Sequence, residues 1–186
     1  MKIEEKFIKY EKLLKEWSTK MNLVAPSTLR DIQNRHIKDS AQLAKYLPKD
    51  VNIIDLGSGA GFPGVVLAIM GWKVTCIESI GKKASFLSAL KEELNLPDLT
   101  IINDRIENFL SKTPVKAGDF VFTARAFAPL IKILDYTHKT KCRLFLLKGR
   151  EIESEIQTAK TKYKFDYKLY KSETGDGFII YIDHIK

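Results

Sequence analysis

Cysteine is nearly absent from this chain. The two that occur among 186 residues, Cys76 and Cys142, have no C-x-x-C spacing and lie in or beside apolar stretches. This excludes a disulfide-stapled scaffold, a zinc ribbon and a dithiol redox centre, and reads both thiols as small buried hydrophobes. Histidine is equally sparse: His36, His138 and His184 are far apart and form no metal-ligand pattern, so no metal is expected. Long apolar runs are missing too, since none approaches the ~18 residues of a membrane-spanning helix. The start, MKIEEKFIKYEKLLKEW, is charged throughout and lacks the apolar stretch of a signal peptide. These absences predict a cytoplasmic protein with no membrane attachment. There is no internal repeat and no low-complexity tract.

What is present fits a single globular domain with a real core, at 45% hydrophobic and 29% charged residues. We read residues 1–48 as an N-terminal helical extension and 49–186 as the core of that domain. Net charge is +8 and unevenly spread. Residues 1–50 hold 11 basic and 7 acidic side chains, 51–150 hold 14 and 9, and 151–186 hold 6 and 7. A surplus over the first four-fifths of the chain suits a polyanionic partner such as RNA, although lysines that merely solvate helix faces would leave the same count. Nothing in the sequence demands a second copy, and a monomer is expected.

Apolar residues at Ile3, Phe7, Tyr10, Leu14, Trp17 and Met21 step by three and four, which predicts an amphipathic helix. Pro26 disfavours helix at the preceding residue, and Ser27 is placed to cap a second helix through Leu29, Ile32, His36, Leu43 and Leu47, ended near Pro48. From residue 51 the pattern changes to strands at Val51–Leu56, Val74–Glu78, Leu99–Asn103, Asp119–Thr123 and Leu144–Lys148. Helical stretches near 64–70, 82–95, 105–112, 129–139 and 151–162 alternate with them. Such alternation predicts a mostly parallel, Rossmann-like α/β sheet. Asp166–Lys171 and Phe178–Ile185 flank a Gly-containing turn and predict a C-terminal antiparallel hairpin.

The strongest local signal is Asp55-Leu56-Gly57-Ser58-Gly59-Ala60-Gly61-Phe62-Pro63-Gly64, which follows a hydrophobic strand and opens a helix. Glycines there let a ligand lie against bare backbone, in the crevice beyond the strand ends where such folds bind ligands. Gly59, Gly61 and Gly64 also satisfy G-x-G-x-x-G. Glu78, closing the second strand, stands where a carboxylate would meet a ribose. Adenosine ribose is common to NAD and S-adenosylmethionine, so Glu78 does not discriminate. Asp55 within D-L-G-x-G-x-G resembles the first motif of class I methyltransferases, and no substrate domain follows the core. A NAD(P)-binding oxidoreductase and a non-catalytic RNA-binding protein of the same fold stay open as alternatives.

Further segments narrow the resemblance. Trp17-Ser18-Thr19-Lys20-Met21-Asn22-Leu23, then Arg35-His36-Ile37-Lys38-Asp39-Ser40, then the DLGSGAGFPG loop, resemble the RsmG (GidB) family in order. So do Glu78-Ser79-Ile80-Gly81-Lys82-Lys83, Arg125-Ala126-Phe127-Ala128 and Leu147-Lys148-Gly149. The likeness spans essentially the whole chain. It departs at Val65-Val66, where Ile-Pro is commoner, at Lys83, where arginine is commoner, and at Asp176-Gly177-Phe178, which lacks a basic residue.

The resemblance implies a class I methyltransferase that uses S-adenosylmethionine to methylate N7 of a guanine in 16S rRNA, on the RNA or a small-subunit particle. It implies cofactor contacts at Gly57, Gly59 and Phe62, at Ile106 and Glu107 beside the adenine, and at Arg125, with Glu78 on the ribose hydroxyls. Guanine N7 has a free lone pair, so no general base and no catalytic proton acceptor is expected. Arg35, His36 and Lys148 are candidates for the RNA. Each has a plainer reading: His36 with Asp39 as a tie between N-terminal helices and core, Lys148 as a solvated strand-end charge, Phe62 as packing, and Glu107 as a first-turn helix charge.

Overall fold

The computed structural model describes residues 1–185; the His184 side chain and Lys186 lie outside the described residues. Seven strands form one sheet: β1 Asn52–Leu56, β2 Lys73–Ile77, β3 Leu99–Ile102, β4 Phe120–Arg125, β5 Arg143–Lys148, β6 Phe165–Lys171 and β7 Phe178–Ile185. Their order is β3-β2-β1-β4-β5-β7-β6, parallel through β5, with β7 antiparallel to both β5 and β6. The expected parallel sheet with a closing hairpin is what forms.

Strands β1, β4 and β5 are apolar on both faces because helices cover both. Ile53, Val121 and Phe145 face one hydrophobic cluster, while Ile54, Phe122 and Leu144 face the other. The first cluster takes in α1 Ile3–Ser18, α3 Gly64–Ile69 and α4 Gly81–Glu93. The second takes in α5 Ile106–Lys112, α6 Leu130–Thr137 and α7 Ile152–Lys160. Cys76 and Cys142 are buried in these clusters and unpaired, as their apolar surroundings predicted. The outermost strand, β6, carries exposed Asp166, Lys168 and Lys171, charges that blunt an edge against further pairing.

The N-terminal region departs from expectation. α1 stops at Ser18 rather than Met21, and Ile3 stays 48% exposed, so the buried stripe centres on Tyr10 and Leu14. The single helix expected from Ser27 to Leu47 is four short pieces. A 3-10 turn spans Pro26–Asp31, a π turn Gln33–Lys38, α2 Asp39–Ala41 and a second 3-10 turn Gln42–Lys45. Ser27 caps nothing. Pro26 itself occupies the first turn behind Ala25, where its missing N–H costs no hydrogen bond. The π turn is wider than an α turn and leaves carbonyls to outside partners, one of which is taken up by a distant arginine described below.

The strand order reverses between β1 and β4, so the loops after them open one crevice at the sheet's carboxyl edge. Behind it, α3 packs tightly on β1 and β2. A Cβ on Gly64 would stand 2.6 Å from Cys76 Sγ and 2.7 Å from Asp55 Oδ2, both buried. Gly64→Ala is therefore expected to lower unfolding free energy by about 1–3 kcal/mol, the usual cost of overpacking. Urea denaturation followed by circular dichroism measures it, and an unchanged midpoint would show that the helix yields freely.

Candidate functional site

The loop Gly57–Pro63 bends out of β1 with Gly57 at φ 66° and Gly59 at φ 55°, backbone that side chains with a Cβ rarely adopt. A Cβ on Gly59 would meet nothing nearer than the Gly57 carbonyl at 3.8 Å, whereas one on Gly57 would collide with the Phe127 ring. The Phe62–Pro63 peptide is cis, and Pro63 sits just before α3. Beside this loop is a cavity of about 480 Å³ lined by Gly57, Gly59, Phe62, Glu78, Arg125 and Phe127, among others. That size falls within the usual range of cofactor pockets.

Two carboxylates hold the loop. Asp55 is fully buried, and its Oδ1 accepts from the Thr123 hydroxyl (3.1 Å) while Oδ2 accepts from the Gly64 N–H (3.2 Å). Burial pushes its carboxyl up to about 6, against hydrogen bonds with Ser58, Thr123 and Gly64 that pull it down. Glu78, at the end of β2, accepts from the Gly59 N–H through Oε2 and from the Ile80 N–H through Oε1, both at 2.8 Å. Each oxygen keeps a lone pair for a further donor. Ribose hydroxyls are such donors, so the cradle suits an adenosyl group.

The N-terminal helix completes the loop's support. The Tyr10 hydroxyl donates to the Ala60 carbonyl (2.6 Å), and its ring stacks on Phe62 at 5.2 Å. His36 also stacks on Phe62, at 4.9 Å, and the Arg125 guanidinium lies 5.7 Å from the same ring. Phe62 is thus buried in an aromatic stack while its edge lines the cavity. Sequence reasoning placed Tyr10 only in an apolar stripe. Its partner is a loop carbonyl fifty residues away in sequence, and no local signal announces that.

Arg125, at the end of β4, engages the broken N-terminal segment with all three of its nitrogens. Nε pairs with Asp39 Oδ2 (2.8 Å), Nη1 donates to His36 Nδ1 (2.8 Å) and Nη2 donates to the Arg35 carbonyl (2.7 Å). A guanidinium can only donate, so Nδ1 of His36 is the acceptor and Nε2 carries the proton, donating to the Thr28 hydroxyl (2.8 Å). Burial first, then the Arg125 charge, lowers the His36 pKa to about 4. His36 and Asp39 therefore tie the N-terminal segment to the core.

The structure brings Gly57, Gly59, Phe62, Glu78, His36 and Arg125 together on one cavity. Ile106 is buried beneath it in the second cluster, and Glu107 is exposed in the first turn of α5; neither lines the cavity. Arg35 is exposed at an adjoining cavity. Lys148 is not a solvated charge: its side chain is 9% exposed, pairs with Glu155 at 2.6 Å and donates to the Ala128 carbonyl at 2.9 Å. Phe127 and Lys83 line the cavity without having been singled out. The motif containing Phe127 was visible, but its role depends on the bare Cα of Gly57. Among the described residues no group of side chains could hold a metal ion, and no helix is long and apolar enough to cross a membrane.

Comparison with known proteins agrees with this geometry. A family model described as rRNA small subunit methyltransferase G matches residues 3–175. The chain is 45% identical over 175 residues to Ribosomal RNA small subunit methyltransferase G of Orientia tsutsugamushi (strain Ikeda), covering 92% of this chain and 85% of that one. To the protein of the same name from Rickettsia prowazekii (strain Madrid E) it is 37% identical, over 100% of this chain and 98% of the relative. A solved SAM dependent methyltransferase from Aquifex aeolicus shares the fold, with TM-score 0.61 at 15% identity, covering 92% of this chain and 97% of that one.

The buried, neutral His36 makes a pH signature. Its folded pKa lies below the unfolded value, so the unfolded chain gains a proton first as pH falls. Its contribution to stability is complete above about pH 6.5 and is lost as pH drops toward about 4. Asp55, raised to about 6, acts in the opposite sense, because its ionised form is disfavoured in the fold. Chemical denaturation of wild type and His36→Gln at several pH values should show the wild-type advantage shrinking as pH falls through that window. An advantage that stays constant with pH would mean that the imidazole is not held neutral.

Proposed function

The chain belongs to the rRNA small subunit methyltransferase G family, and from that premise we propose that it methylates N7 of one guanine in 16S rRNA. S-adenosylmethionine is the methyl donor. The observation that carries the reading is the cavity where β1 and β4 diverge, with the Gly57–Gly59 backbone bare beside the Glu78 carboxylate. This reading displaces the NAD(P) oxidoreductase and the non-catalytic RNA-binding protein. We further propose that residues 1–48 and 49–186 work as one domain, as a monomer in the cytoplasm, on the RNA or a small-subunit particle.

When bound, S-adenosylmethionine would supply an electrophilic methyl group on a sulfonium whose sulfur would keep the bonding pair as the N7 lone pair took the carbon. Gly57 and Gly59 would leave room for the cofactor against the main chain, and Glu78 would accept from the ribose hydroxyls. Phe62 and Arg125 wall the cavity from the N-terminal side, Phe62 with its ring stacked on Tyr10 and His36. Ile106 and Glu107, carried by the family resemblance, stand for the adenine side. Arg35 meets the RNA at the adjoining cavity. His36 and Lys148, which the sequence also offered to the RNA, support the site from within, since their polar atoms are held by the protein.

Glu78, the carboxylate among the described residues lining the cofactor cavity, is engaged by the Gly59 and Ile80 N–H groups and assigned to the ribose. Asp55 is sealed beneath the loop and both nitrogens of His36 are engaged. That agrees with N7, whose lone pair attacks without losing a proton, and leaves alignment as the main contribution, for which about 7–11 kcal/mol is available.

Two measurements test this. Calorimetric titration should show saturable binding of S-adenosylhomocysteine and none of NAD, with binding abolished in Gly59→Asn, a residue that tolerates the left-handed backbone there and whose side chain starts in open space. Tight NAD binding would overturn the cofactor. Single-turnover methyl transfer should vary little between about pH 7 and 8.5. A steep ionisation removed by one substitution would point to an exocyclic amine or a ribose hydroxyl as the acceptor.

A further inference from the structure

A second cavity, of about 230 Å³, opens beyond the ends of β4 and β5 and is roofed by the β6–β7 turn. It shares Arg125 and Ala126 with the cofactor cavity, so a group seated in it faces the cofactor across two residues. Ala126 has φ 50°, a left-handed backbone that an alanine rarely adopts. Strain of this kind persists where surrounding structure enforces it, often at ligand sites. The volume is small for a cofactor and suits a single base withdrawn from its stack.

Most polar groups on its wall are already spoken for. Arg125 and Lys148 are paired as described. Asp39 binds Arg125 through Oδ2, while its Oδ1 accepts from the Gln42 amide (2.9 Å) and the Thr174 hydroxyl (2.7 Å). Two charged side chains remain exposed and without a partner among the described residues: Arg35 at the rim and Asp176 in the turn. That turn is braced. Glu173 N–H donates to Gln42 Oε1 (3.0 Å), Ser172 N–H donates to the Gly177 carbonyl (2.9 Å), and a Cβ on Gly177 would stand 2.6 Å from the Lys148 carbonyl. Asp176 is therefore offered from a fixed position. It lines the second cavity and not the first.

Resting on the proposed guanine methylation, we propose that this second cavity seats the extruded guanine and that the Asp176 carboxylate reads its N1–H and N2–H edge. A purine with N7 toward the shared wall presents that edge on its opposite side. Guanine offers two parallel donors there, and a carboxylate offers two acceptors. Adenine has a lone pair at N1, which a carboxylate repels, so Asp176 discriminates between the purines. It also favours the reaction itself. Methylation at N7 makes the base cationic and its N1–H a stronger donor, so the contact tightens toward the transition state. Arg35 at the rim is left for a flanking phosphate.

The test compares wild type and Asp176→Asn in single-turnover methyl transfer, on 16S rRNA carrying guanine or inosine at the mapped target. Inosine keeps N1–H, O6 and N7 but lacks the N2 amine. Asp176→Asn should slow transfer to guanine by about 10- to 100-fold, the range of one bidentate base contact. Its S-adenosylhomocysteine affinity and thermal midpoint should match wild type. Inosine should slow wild type but add little to the loss in Asp176→Asn, because both changes remove one contact. A wild-type rate in Asp176→Asn, or an equal inosine penalty in both proteins, overturns the assignment while leaving guanine methylation standing. No transfer by wild type to any 16S rRNA guanine overturns both.

Discussion

The arrangement of the site depends on one guanidinium. Arg125 stands at the end of β4, where the sheet's order reverses, and its three nitrogens reach Asp39, His36 and the Arg35 carbonyl. It is largely withdrawn from solvent, with a side chain 20% exposed and an Asp39 partner 19% exposed, so the pair is screened less than a surface bridge. Planar geometry matters as much as charge, because a lysine could meet only one of the three acceptors well. Through Asp39 the network continues to Gln42, Thr174 and the β6–β7 turn; through His36 it continues to the Phe62 stack and the cofactor loop. Both cavities have Arg125 in their wall. A break at this point would loosen the N-terminal segment, the cofactor loop and the turn together.

This explains why the two ends of the chain were not equally legible. Strands β1, β4 and β5 announce themselves because residues buried on both faces must be apolar and β-branched or aromatic, a local requirement. The glycine loop is legible for a similar reason, since the left-handed backbone at Gly57 and Gly59 strongly favours glycine wherever the chain lies. The segment Pro26–Lys45 is different. Its apolar spacing fits one helix, but its shape is set by acceptors that Arg125 demands from 89 residues away, and a π turn supplies them. Lys148 misled in the same way, because its partner Glu155 lies one turn into the following helix and no sequence pattern marks the pair. Of the residues that the family resemblance implies for the cofactor, Gly57, Gly59, Phe62, Glu78 and Arg125 line the cavity, whereas Ile106 lies in the second cluster and Glu107 is exposed on α5; no local pattern separates the two sets.

Charge is divided along similar lines. The carboxylates that shape the loop, Asp55 and Glu78, are buried and bonded to backbone, and burial raises the Asp55 pKa to about 6. Arg30, Arg35 and Lys38 on the N-terminal segment are exposed. Arg35 at the second cavity and Lys83 at the cofactor cavity place positive charge beside both, which suits a polyanion whose phosphates are positioned there while contacts within the cavity select the base.

The measurement nearest the centre of this account is mass mapping of 16S rRNA from cells that lack the gene, carry it, or carry it as Arg125→Lys. One 7-methylguanosine should disappear on deletion, return with the wild-type gene, and fail to return with Arg125→Lys even where that protein accumulates normally. A modification pattern unchanged by deletion, or full recovery with Arg125→Lys, would contradict it.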